Sequence, residues 1–104
     1  MTLIERLEAL SGPNFAVEQE IVRIINPQAT RLTMPPAYTA SIDAAMTLVP
    51  EGWGRMFNQS ENGLHCNVCL ARSYPTNAVV YSEAATPAIA LCIASLRARS
   101  ADNG

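Results

Sequence analysis

The spacing of apolar side chains divides the chain into a helical first half, an alternating middle and a helical end. Leu3, Leu7 and Leu10 recur at i, i+4 and i+7 with Glu5, Arg6 and Glu8 between them, which predicts a first helix with one buried stripe. Thr2 and Glu5 stand where a capping box needs them, hydroxyl to amide and carboxylate back to amide. Ser11-Gly12-Pro13 interrupts that helix, and a second begins near Pro13 or Asn14. Its stripe is Val17, Ile21 and Ile24, widened by Ile25. Glu18 and Glu20 lie in the first turns, where carboxylates oppose the unpaired amides, and Asn26-Pro27 ends it. Residues 28–38 read as a crossing loop, with Arg31-Leu32-Thr33 at most a short extended piece. A third helix is predicted from Thr39 to Leu48, with Ile42, Ala45, Met46 and Val49 on one face and Pro50 as the stop.

The period then changes from helical to two. Trp53 to Phe57 and Leu64 to Leu70 alternate in residue type, with the polar segment Asn58 to Gly63 between them, which predicts a β-hairpin. Ala78 to Tyr81 is a third candidate strand. The last helix starts at Pro87, with Thr86 able to cap it and Arg97 and Arg99 near its negative end. From Ala88 to Ala94 it is apolar on every side, as expected of a helix covered both by a sheet and by another helix or subunit. The fold class is therefore α+β, a small antiparallel sheet of two or three strands packed against helices in the order α-α-α-β-β-(β)-α. One domain fills residues 1–104, ordered over about 2–99, with a mobile tail at 100–104.

Composition narrows the class of protein without naming an activity. At 104 residues, 49% apolar, with a net charge of −2, the chain is unlike a disordered segment, a collagen-like fibre or a highly basic nucleic-acid-binding tail. Alanine accounts for 16 of the apolar residues, so the core is thin and additional cover from a partner would count. All seven basic residues are arginine, dispersed at 6, 23, 31, 55, 72, 97 and 99 with no stripe of phosphate-neutralising charge, so nucleic acid is not an expected partner. No apolar run approaches the roughly 20 residues needed to span a bilayer. No positively charged start leads into an apolar segment, and the expected compartment is the cytoplasm.

Potential metal or thiol chemistry gathers at one place, His65-Cys66-Asn67-Val68-Cys69, to which Cys92 could add a fourth ligand. On a strand, His65 and Cys69 would face one side and Cys66 the other, which opposes both a zinc site and a redox pair. A small zinc- or thiol-dependent enzyme using His65, Cys66 and Cys69 is the rival reading, and a nucleic-acid-associated accessory protein a third. With a single histidine and no nucleophile elbow or phosphate-cradling glycine loop, no catalytic residue is assigned and no cofactor is implied. Trp53, Arg55, Phe57 and Tyr81 are the candidate interaction residues, because aromatic and arginine side chains on a sheet are enriched where partners bind. Trp53, Arg55 and Phe57 would share one face, and the reading favoured for them as a set is that Trp53 and Phe57 pack beneath a helix with the Arg55 stem running alongside.

Two stretches, Tyr38 to Trp53 and Ala85 to Ala98, together with the opening Leu3 to Pro13, resemble small phage or prophage-borne proteins of alphaproteobacteria grouped as phage sandwich-type domains. The shared motifs concern packing and capping. The resemblance implies a small antiparallel sheet between helices and an origin in a mobile element, with no activity to carry over. Tyr81 to Ala84 departs from the pattern where a glycine-bearing turn is expected, which leaves the register of the third strand open. The leading expectation is a non-enzymatic accessory protein whose sheet edge or last helix contacts a phage or host protein, or a second copy in a homodimer.

Overall fold

The computed structural model describes residues 2–26, 28, 34–59, 66–73 and 77–103. The elements run α1 (Leu3–Glu8), α2 (Phe15–Ile25), α3 (Ile42–Met46), β1 (Gly54–Gln59), β2 (Cys66–Arg72), β3 (Ala78–Ala84) and α4 (Pro87–Asn103), which is the α+β order expected from the sequence.

The helix starts follow from local chemistry. Thr2 and Glu5 form the reciprocal capping box of α1. Asn14 caps α2 by accepting from the Val17 amide, and Ser41 caps α3 by accepting from the Ala44 amide. That last cap explains why α3 is half the length its apolar spacing predicts. Residues 38–40 form a turn instead, and the Thr39 side chain is engaged elsewhere. On α2 the buried positions are Val17, Glu18, Ile21 and Val22, while Ile24 of the expected stripe is exposed. α4 begins at Pro87 as expected, and its helical backbone continues through Asn103, past the position where a tail was expected, since no breaker interrupts residues 100–103.

The three strands form an antiparallel meander in the order β1-β2-β3. The third strand is longer than predicted because Ser82, the polar residue just past its predicted end, is buried and donates its hydroxyl to the Ala90 carbonyl at 2.5 Å. Its register is fixed by Leu70 opposite Val80 and Cys69 opposite Tyr81.

α4 lies across β2 and β3, with α1 and α3 against its other sides. Every residue from Ala88 to Leu96 is buried, together with Ala98, which accounts for a helix apolar all round without calling on a second subunit. Facing it on the sheet are Cys66, Val68 and Leu70 of β2 and Ala84 of β3. Each large side chain so enclosed contributes about 1.5–3 kcal/mol relative to exposure. Among the described residues no helix covers the other face, which differs from the sheet between helices that the resemblance implies.

Candidate functional site

Alternation along a strand sends neighbouring residues to opposite faces, so the register assigns each sheet residue a side. Cys66, Val68 and Leu70 go under α4, leaving Asn67, Cys69 and Ala71 on the open side. On β3 the open positions are Val79, Tyr81 and Glu83. Met56 pairs with Cys69, and Cys69 with Tyr81, so these three make one row straight across the sheet. The row below it is Gly54, Ala71 and Val79, and the row above is Asn58, Asn67 and Glu83. Met56 is 61%, Tyr81 68% and Val79 53% exposed, and Cys69 between them is half-buried. A shallow depression of about 470 Å³ opens over this face, between Asn67 and Cys69 on one strand and Tyr81 and Glu83 on the next. Its rim carries Arg97 of α4, which donates to the Tyr81 carbonyl at 2.6 Å and lies 3.7 Å from the Glu8 carboxylate.

The expected interaction residues are thus divided. Tyr81 stands on the open face. Trp53, at 5% exposure, is interior: a turn whose Gly52 takes φ +90° brings it under the helices, where the Arg72 guanidinium lies 5.0 Å from its ring centre. Arg55 is exposed but pairs with Leu70, which places it on the helix side of the sheet, beyond the reach of α4. The backbone of Phe57 pairs with Val68. Met56, Val79 and Cys69, which composition alone does not mark, complete the patch with Tyr81. Their signal is the combination of alternation with strand pairing, and the pairing is not written in any single strand.

The cysteines do not converge. Cys66 and Cys69 occupy opposite faces, and Cys92 is enclosed in α4 with its thiol 3.3 Å from the Tyr38 carbonyl. Burial first, and the Glu18 carboxylate second, push the Cys92 thiol up to about 12, which keeps it protonated and unreactive at neutral pH. Burial also raises the Tyr38 hydroxyl. His65 lies outside the described residues. Among those described, no three His, Cys, Asp or Glu side chains come together as a metal site. No described helix is long and apolar enough to cross a membrane.

A second polar cluster lies inside. Glu18 Oε2 accepts from the Thr39 amide at 3.0 Å and from the Thr39 hydroxyl at 2.6 Å, while Thr39 Oγ1 accepts from the Asn14 amide at 2.8 Å. This network ties the turn at 38–40 to the start of α2. Its chemistry is that of a clamp.

Comparisons with protein-family models, with curated proteins and with solved structures find no match to the chain.

Proposed function

We propose that this chain is a non-enzymatic interaction module that docks a protein partner through the open face of its sheet. One observation carries the proposal: the row Met56, Cys69 and Tyr81, extended by Val79, leaves large apolar side chains in water on the face that α4 does not cover. The last helix, the other contact element suggested by the sequence, is enclosed through Ala98 by its own sheet and helices and has little apolar surface to offer. Aromatic and methionine side chains supply much contact area per residue, and the surrounding Asn67, Glu83, Glu8 and Arg97 suit a polar rim.

Cys69 provides the test, because it sits at the centre of the patch while Cys66 and Cys92 are buried. Its alkylation rate, read by mass spectrometry, should fall when the protein is in an extract of its own cells and recover in a Tyr81→Lys variant that keeps the native melting temperature. Equal rates for the purified and extract samples, in wild type and variant alike, would overturn the proposal.

A further inference from the structure

We infer that Arg97 guards a strand edge: its guanidinium seals the outer backbone edge of β3 against pairing with another extended chain. The open face offers side chains to a partner, whereas this edge offers backbone donors and acceptors, so the two surfaces are independent.

β3 is the last strand of the sheet, and among the described residues it pairs on one side only, with β2. Its seven residues, Ala78-Val79-Val80-Tyr81-Ser82-Glu83-Ala84, hold neither proline nor glycine and carry one charge. The pairing runs without a bulge from Cys66 opposite Ala84 to Arg72 opposite Ala78. An edge strand of that length and composition is a template for further strands. The usual protections, a proline, a lysine, a bulge or a very short strand, are missing from it.

Arg97 supplies the protection from outside the sheet. In an antiparallel pair the N–H and C=O of one residue point the same way, and successive residues point alternately toward the partner strand and away from it. Nη1 of Arg97 donates to the Tyr81 carbonyl at 2.6 Å, in a solvent-exposed bond. That carbonyl therefore faces away from β2, and Val79 shares its direction, while Val80 between them faces β2. Tyr81 is the fourth of the seven residues. An added strand would lie about 4.8 Å beyond β3, in the lane that the guanidinium fills. It would have three residues of β3 on either side of the obstruction, short of the roughly 5–6 of an average strand.

The guard is held at both ends. Its backbone sits between the buried Leu96 and Ala98 of α4, and the Glu8 carboxylate of α1 stands 3.7 Å from Nη2. A charge-assisted hydrogen bond to the strand carbonyl is also stronger than the neutral amide bond that an incoming strand would put in its place.

Arg97→Ala tests the inference, read by sedimentation equilibrium up to about 1 mM and by amide hydrogen exchange. In the wild type the Val79 and Tyr81 amides should exchange quickly and the Val80 amide slowly. In the variant the average mass should rise with concentration above that of the wild type. The Val79 and Tyr81 amides should then slow by about tenfold or more, with Val80 unchanged. Arg97→Lys, which returns a cation and a donor, should bring both readings back toward the wild type. Arg97→Met, which keeps the packing of the stem, repeats the test should Arg97→Ala fail to fold. Masses equal to the wild type, with Val79 and Tyr81 still fast, would overturn the guard. So would a fast Val80 and a slow Tyr81 in the wild type, since the Tyr81 carbonyl would then face β2. Loss of Val80 protection in both Arg97→Ala and Arg97→Met would overturn it as well, because the arginine would then serve the fold and not the edge.

Discussion

The two faces of one three-stranded sheet differ in what their apolar residues accomplish. On the helix side Val68 and Leu70 are wholly enclosed and meet α4, itself buried from Ala88 to Leu96. Across the same strands, one residue along, Met56, Val79 and Tyr81 stand in water. Both sets have strand-forming side chains, so intrinsic preference does not separate them. The closed side holds the molecule together and tolerates little change, whereas the open side carries apolar surface in excess of what folding uses. Surplus of that kind is where association finds its driving force.

The contrast is most easily broken on the closed side. Leu70→Ala should cost about 2–5 kcal/mol, read as a fall in the urea midpoint, because the methyl groups it removes leave a cavity beneath α4. Next in size is the buried clamp. Glu18→Ala should cost about 1.5–3 kcal/mol by stranding the Thr39 amide and hydroxyl. Glu20→Ala, which removes the partly exposed pairing with Arg6, should cost no more than about 1 kcal/mol. Equal losses from the two glutamates would show that burial is not what gives Glu18 its weight.

Alkaline pH tests the same enclosed region. The Cys92 thiol ionises near 9 when unfolded and at about 12 when folded, so above pH 9 the unfolded chain releases a proton that the folded chain retains. Stability from this group is complete below 9 and should fall by about 1.4 kcal/mol per pH unit between the two values. Tyr38, also raised by burial, acts with the same sign. In urea unfolding across this interval, Cys92→Ala should start from lower stability and show a shallower decline.

The smallest effect belongs to the open face. Tyr81→Ala should change monomer stability by no more than about 0.5 kcal/mol, measured in dilute solution where association is absent. A loss comparable to that of Leu70→Ala would mean that Tyr81 serves the fold, and the distinction between the faces would collapse.

Much of the architecture could be read from residues because it is decided locally. Thr2 with Glu5, Asn14, and Pro87 after Thr86 mark helix starts by hydrogen bonds within one turn, and the structure uses all three positions. What escaped was decided at a distance. Thr39 looks like the first residue of a helix until Glu18, 21 residues earlier, takes its amide and hydroxyl. Ser82 reads as a polar end to the third strand until Ala90 supplies a carbonyl to its hydroxyl. Val22 replaces Ile24 in the core because α2 meets its neighbours along a slightly rotated stripe, which the helix's own sequence does not define. The candidate surface divides in the same way. Tyr81 is visible as an aromatic on a strand, and the burial of Trp53 follows the favoured sequence reading of a ring packed in the interior, but Met56 and Cys69 join Tyr81 only through pairing across three strands.

The enclosure of α4 also has a consequence in time. It follows all three strands in the chain, so the segment made last supplies the cover that the earlier elements share. Until it docks, Val68 and Leu70 have no cover and neither α1 nor α3 has its main packing partner. The chain therefore becomes a cooperative unit only when the final helix is in place.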